Sequence, residues 1–494
     1  LEVAVSRKVP LSCRLAKPLA IGALSLLVMT GVAVPSPALA DPPGPAVKKL
    51  GNRVAIQVDN GWVIYQAGKK DNPIFYNSDA NPDFQQSTVK KLKTPGASAT
   101  DSYFAANGIV FAPCPNGQDL CQPSWGGTVD GVGLGFGQYL LKAGDKSQGG
   151  WISDDGISAH RTNALLLPGS IAALAVGTGG AFGVGEDTAP SGFTEAVVVE
   201  LDSTGQTYAP VGTAFLGTLG GNKSFATNIS KNAIYITGSA QNAKGKYRAV
   251  YAHPGDTSWT DLGDKIPDTL FGGKVVRSQA LAANDDGIIA GTATIKIDVA
   301  GRTNYPVDVG FVFDIAHDTM SFYSAPGATV IPLKVLPGPD VKVVGNLEFV
   351  KDVNALKSYS AAVHPFMYDG STVTDFFSIA TGPFQFYFGC QAGIPNNLGE
   401  VAGTCIADQF TSYTKDTPTT VPFYLNMLGG APTFVDLNIA IHTSQDALVP
   451  GIVPYHLGQA TSIDDQGEVT LVGNNFGKAA ATSFLATKAA YSGP

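Results

Sequence analysis

The chain has 494 residues, of which 58 are glycine and 32 proline; only 15% are charged, and the formal net charge is -8. So little charge excludes a coiled coil and a disordered acidic chain, both of which need far more of it. The acidic balance offers no footprint for a phosphate backbone, so no nucleic-acid partner is expected.

The first segment reads as an address. Arg7, Lys8, Arg14 and Lys17 flank the start of an apolar run from Leu19 to Val34, and Pro35-Ser36-Pro37-Ala38-Leu39-Ala40 places small residues before Asp41. That is the three-part pattern of a secretory signal peptide over residues 1–40, with cleavage near Ala40. The run falls short of the ~20 residues of a spanning helix. No second run of that length follows, so the mature chain is expected to be secreted or periplasmic, without membrane insertion. Of five cysteines, Cys13 leaves with the signal. The other four form two close pairs, Cys114/Cys121 and Cys390/Cys405, which in an exported chain read as two local disulfides.

Beyond Pro45 the apolar segments are short, β-branched or aromatic, and separated by Gly/Asn/Asp turns, as in Val54–Val58, Trp62–Tyr65, Ala196–Leu201, Gly310–Asp314 and Glu468–Val472. These are strand signals, and helical periodicity is nearly absent. Even the alanine-rich 478–490, with Phe484-Leu485, reads as one more strand. No Ser/Gly tract or charge block marks a linker, so 41–494 is expected to be a single domain.

One phrase recurs along the chain: Asn, Asp or Ser, two polar residues, Gly, a strand, and often a closing Gly. Copies are Ser153-Asp154-Asp155-Gly156, Asn284-Asp285-Asp286-Gly287 with Gly291, Asn396-Asn397-Leu398-Gly399 with Gly403, and Asp464-Asp465-Gln466-Gly467. A weaker copy, Ser230-Lys231-Asn232-Ala233, closes at Gly238, and an eroded one lies near Val344-Gly345-Asn346. Asn and Asp bond their own backbone in tight turns, and Gly takes positive φ without steric cost. The spacing of about 55–70 residues suits four short strands plus loops. The expected fold is therefore all-β: a β-propeller of seven blades, each of four antiparallel strands, rather than a solenoid with shorter coils. Residues 456–486 supply only part of a blade, and 46–66 is expected to complete it, closing the ring with N- and C-terminal strands. Packing on both faces would also free strands such as Phe384–Phe388 from alternation.

Downstream of the turn phrase come His364-Pro365-Phe366-Met367-Tyr368-Asp369-Gly370, Trp259-Thr260-Asp261-Leu262-Gly263 and Leu216-Gly217-Thr218-Leu219-Gly220-Gly221. Over residues 210–490 this series resembles the bacterial extracellular HAF repeats. There an Asn-x-x-Gly-x-Val-x-Gly phrase precedes His-Ala-Phe-Leu-Tyr and Asp-Leu-Gly-Thr-Leu-Gly-Gly. The His-Ala-Phe tripeptide itself is absent; His364-Pro365-Phe366, Val421-Pro422-Phe423 and Gly310-Phe311-Val312 are the nearest forms. The resemblance implies an exported propeller architecture and no particular reaction.

Gly-x-Ser-x-Gly, His-Glu-x-x-His, Cys-x-x-Cys and the Walker loop are all missing, and the glycines of 131–137 lack a βαβ setting, so no cofactor is expected. None of the six histidines lies at a short metal-ligand spacing from another. His253 and His364, each followed by proline, are expected to bond a neighbouring strand's carbonyl. The paired acids Asp154/Asp155, Asp285/Asp286 and Asp464/Asp465 read as turn formers, not as a calcium loop with its distal glutamate, so no metal is expected. The aromatics Phe384–Phe388, Tyr413 and Trp125 read first as packing residues. Two functions remain. The leading one is a non-catalytic propeller that binds a glycan or protein ligand at one mouth of its channel. The alternative is a glycan-active hydrolase or lyase, for which Asp154, Asp285, Asp464, His160 and Tyr387 are the candidate catalytic residues.

Overall fold

A computed structural model describes residues 170–202, 210–350, 363–379, 387–407, 420–428, 432–445, 455–475 and 481–491, together with separate strands between 47 and 167, for most of whose residues only the backbone is described. The signal-like 1–40, His160, Cys114 and Phe384–Phe386 lie outside the described residues, as do the side chains of Cys121, Trp125, Asp154, Tyr387 and Phe388.

Almost every described segment is a strand, and almost every strand pairs with its sequence neighbour in antiparallel fashion. Sheet A comprises Val54–Asp59, Trp62–Gln66, Ile74–Asn77 and Lys90–Lys91. Sheet B has six strands between Phe104 and Leu167. Sheets C (Ser170–Gly177, Gly180–Thr188, Thr194–Leu201, Pro210–Phe215) and D (Gly220–Ile229, Ile236–Asn242, Tyr247–Ala252, Thr260–Asp261) follow. A single parallel pair, Thr194 with Lys223, joins C and D into one hydrogen-bonded array. Sheet E is built from Gly273–Ala283, Ile288–Val299, Arg302–Asp314 and Thr319–Tyr323, with Thr269–Leu270 at its edge. Sheet F contains Ala328–Val335, Val343–Phe349, Val363–Tyr368 and Val373–Asp375, and sheet G contains Tyr387–Ala392, Glu400–Ala407, Thr420–Asn426 and Thr433–Asp436. Sheet H takes Tyr455–Ile463, Val469–Asn475 and Ala481–Ala486 from the end of the chain and Val47–Gly51 from its beginning.

Among the described residues, hydrogen bonding joins the strands into seven sheets, with C and D in one array and six strands in B, where the repeat spacing suits four strands to a blade. A second departure is the helix Leu437–Gln445, which no periodicity announces.

The cores lie between successive sheets. Strand Ile288–Val299 begins with eight consecutive buried residues. Its Ile289 and Ala293 join Phe311 and Phe313 against Ala249, Leu262 and Ile266 of the preceding sheet's region. The alternate residues Ile288 and Ala290 join Val312 against Val330, Val343 and Phe366 of sheet F. A strand packed on both faces has no polar side to show, so its sequence loses the alternation of a half-exposed strand. The same pattern joins C to D, F to G and G to H. At the ends of the chain, Ala55, Val58 and Val63 of sheet A pack on Leu485 of sheet H, and the Ala55 N–H donates to Ser483 Oγ at 2.8 Å.

The closing glycine of the repeated phrase has a packing reason. Gly291, Gly345 and Gly403 stand opposite Phe311, Phe366 and Phe423 of the third strand in their sheets. A Cβ on Gly345 would lie 2.1 Å from Ile331 O and 2.7 Å from Phe366 Cε1. Only a residue without Cβ lets the ring lie across the strand at that point. The glycine and the later phenylalanine of the repeat are one contact.

Candidate functional site

The first-to-second turn of each meander stands at the same end as its third-to-fourth loop, because consecutive strands run in opposite directions. Four turns share one hydrogen-bond pattern. In sheet E the Asn284 N–H donates to Ile288 O, the Gly287 N–H to Asn284 O, and Asn284 Oδ1 accepts from Asp286 N and Ile288 N. Asn396 in sheet G and Asp464 in sheet H repeat it. In sheet D, Ser230 Oγ takes the acceptor role, and Ala233 fills the glycine slot at φ 58°. Gly287, Gly399 and Gly467 sit at φ 86°, 70° and 77°, in the left-handed region that glycine enters without Cβ cost.

Side chains of these turns also clasp neighbouring turns. Asp285 Oδ1 accepts the Asn232 N–H at 2.9 Å. Asn284 Nδ2 donates to Leu336 O and Gly338 O, while the Gly338 N–H donates to Asp286 Oδ2 at 2.8 Å. Lys334 Nζ reaches Pro395 O. Asn396 Nδ2 donates to Asp464 O, and the Asn397 N–H and Nδ2 each donate to Asp465 at 2.7 Å. Lys231 of sheet D lies 3.9 Å from the same Asp465. Turns from D, E, F, G and H therefore form one linked series.

Under the G–H clasp lies a buried polar cluster. Glu400 is 2% exposed; it accepts from Lys488 Nζ at 2.5 Å, Tyr424 Oη at 2.8 Å and Asn396 Nδ2 at 2.8 Å. Burial disfavours its charge, but the hydrogen bonds from Lys488, Asn396 and Tyr424 outweigh it and hold the carboxyl below the usual range. Burial, then the charge of Glu400, pushes the Tyr424 hydroxyl up. Tyr491, whose hydroxyl donates to Gly467 O, is pushed up by burial and then by Tyr424, Glu400, Asp464 and Glu468. Lys488 is half exposed; the rest of the cluster is walled in.

Two of the sequence candidates can be placed in full. Asp285 and Asp464 both engage a carboxylate oxygen with backbone N–H groups, one across sheets and one within its own turn. Asp154 ends the strand Gln148–Asp154 and Tyr387 begins the strand Tyr387–Ala392, opposite Ala407. Cys390 and Cys405 face one another in adjacent strands and are disulfide-bonded. His253 and His364 do not bond a neighbouring strand's carbonyl. His253 Nδ1 meets Asp256 at 3.3 Å and His364 Nδ1 meets Asp375 at 2.9 Å, because an aspartate stands within reach of each ring. Glu400, Lys488, Tyr424 and Tyr491 were not legible as a group: they come from two sheets and share no motif.

At the other end of the sheets, a cleft of about 340 Å³ lies between D and E, lined by Lys246, Arg248, Asp264, Asp268 and Ser278 among others. Its charges are largely matched within it: Arg248 pairs with Asp261 and Asp264, and Lys246 Nζ donates to Val275 O. Among the described residues, no group of three His, Cys, Asp or Glu could hold a metal ion, and no helix is long and apolar enough to cross a membrane.

No family model matches the chain, and no curated protein matches it in sequence. Among solved structures it is similar to the β-propeller domain of the Trilobed protease from Pyrococcus furiosus, at TM-score 0.41 and 8% identity over 74% of this chain and 95% of that one. A prolyl endopeptidase gives TM-score 0.42 and 11% identity over 88% of this chain and 55% of that one. A puromycin-hydrolysing peptidase from Mycobacterium tuberculosis gives 0.41 and 12% over 87% and 61%. At such scores the likeness identifies neither a relative nor a reaction.

Proposed function

We propose that this chain is an exported β-propeller of the HAF-repeat kind, a non-catalytic protein that binds a glycan or protein ligand on its turn face. The closed ring in this reading is supported by three features. Successive sheets from C to H share cores, sheet A packs on sheet H, and Val47–Gly51 completes sheet H. Export is supported by the signal-like 1–40 and by the Cys390–Cys405 disulfide, a bond at home in an oxidising compartment.

The observation that carries the binding role is the engagement of the turn acids. Asp285, Asp286, Asp464 and Asp465 use their oxygens to hold turns together, which suits a rigid platform better than proton transfer at a reacting centre. The test is a glycan panel scored for both retention and product, run with the mature chain. Retention of a glycan without new reducing ends or unsaturated product is the expected result. Turnover abolished by Asp285→Asn or Asp464→Asn would overturn it and establish an enzyme. Fractionation with N-terminal sequencing checks export: the expected mature chain begins near Asp41 and is found outside the cytoplasm.

A further inference from the structure

We propose that the turn face docks a cationic, amphipathic peptide segment, anchored by Ile394, Leu398 and Leu428 of sheet G; this rests on the binding role above and names its partner's chemistry. These three are 65%, 53% and 43% exposed. Leu398 sits in the first-to-second turn and Leu428 follows the third strand, and the Met427 N–H donates to Gly399 O at 3.2 Å, tying the two loops together. Leu428 lies over Gly399, where a Cβ would come within 2.7 Å of its Cγ. Ile394 leads into the same turn. Among the described residues, the other large exposed apolar side chains, Phe193, Val211, Phe271, Ile406 and Ile439, belong to other sheets, to another part of sheet G or to the helix that follows it. A cluster of exposed branched side chains over a hydrogen-bonded turn is a ready anchor for a partner's apolar residues.

The surroundings choose the partner. On one flank, Asp465 is bonded to Asn397, next to Leu398. On the other flank is sheet F, whose Leu336 touches the position of Gly399. Sheet F presents Asp340, 83% exposed, and the exposed Asp369 on this end. Beyond them come Asp285 and Asp286. Among the described residues of this face, Lys231 lies near Asp465, Lys265 on Asp318, Lys342 near Asp340 and Lys488 on Glu400, while Lys334 Nζ is bonded to Pro395 O. These described lysines are thus already engaged, whereas Asp340 and Asp369 stand exposed on the flank of the anchor. A segment placing Lys or Arg beside Leu, Val or Phe matches both charge and anchor.

The test titrates the mature chain, by fluorescence anisotropy, with a synthetic peptide of about twelve residues alternating Lys and Leu. Two control peptides replace Lys by Glu or Leu by Ser. The Lys/Leu peptide is expected to bind, more weakly as salt rises, and both controls to bind at least about tenfold more weakly. Leu398→Ser combined with Leu428→Ser is expected to weaken the Lys/Leu peptide about tenfold, and Asp340→Lys about threefold. These side chains are exposed, so an unchanged melting curve will show that the variants fold. Equal binding of the Glu/Leu peptide, or binding indifferent to the double variant, would overturn the proposal. Failure of every peptide while a glycan is retained would also overturn it and leave the binding role standing; glycan turnover would remove both.

Discussion

Replacing Asn396 by alanine tests how much the clasp between sheets G and H contributes. The side chain is 3% exposed and makes four hydrogen bonds. Its Oδ1 accepts from Leu398 N and Glu400 N, and its Nδ2 donates to Glu400 Oε2 and Asp464 O. Leu398 is exposed, so water can replace its bond at little cost. The Glu400 N–H and Asp464 O are buried and each lose a partner, worth about 1 kcal/mol apiece or more. The bond to the Glu400 carboxylate is charge-assisted and worth about 1.5–3 kcal/mol. The expected loss for Asn396→Ala is therefore about 3–5 kcal/mol, measured as the change in urea midpoint at constant slope. Asn396→Asp keeps the Oδ1 acceptor but turns an anionic oxygen toward Glu400 and a carbonyl. At neutral pH it should be worse than alanine, and the order should narrow or reverse as the pH is lowered and a carboxyl takes a proton. A loss under 1 kcal/mol for Asn396→Ala, or an Asp variant equal to wild type at pH 7, would refute the reasoning.

Three further outcomes are expected. Because Glu400 is held below its ordinary range, its contribution is full above the unfolded carboxyl value and is lost as pH falls through the folded one. Tyr424 and Tyr491 are raised, so their contribution is full below the unfolded phenol value of about 10 and fades as pH rises beyond it. Urea midpoints across pH should fall at both ends, and Glu400→Gln should flatten the acid limb. Gly345→Ala puts a Cβ 2.1 Å from Ile331 O, which no ring movement relieves, so a loss of about 2–3 kcal/mol should persist when Phe366 is also replaced by leucine; full rescue by the second change would contradict it. Deleting Val47–Gly51 strips the outer strand from Ala481–Ala486, and the product should aggregate or unfold cooperatively at lower urea, not behave as a trimmed native monomer.

The turn phrase was legible because its chemistry is local. Asn284, Asn396 and Asp464 each bond backbone two and four residues on, so a window of five residues contains the whole reason for the turn. The return of the N-terminal strand to sheet H was legible too, since 456–486 holds too few strands for a blade. The six strands of sheet B and the parallel pair that joins C to D were not, because the turn phrase marks one turn of a unit and says nothing of how many strands follow it or what its edges meet. Nor was the pairing of Gly345 with Phe366, or the meeting of Glu400 with Lys488, 88 residues away; each depends on register and on packing between sheets, which no short window records. For the candidate site, sequence supplied the acids, and only the geometry showed that Asp285 and Asp464 face N–H donors.

The strand Val47–Gly51 is made about 430 residues before its partner Ala481–Ala486. Until that partner emerges, this strand must wait with an unpaired edge, the kind of surface on which other chains can add. Sheet H therefore cannot be completed until every sheet between its strands has been made, and it must then close a very long loop, which makes the step slow. A holding factor that shields the early strand would speed productive folding more than one acting on any later sheet.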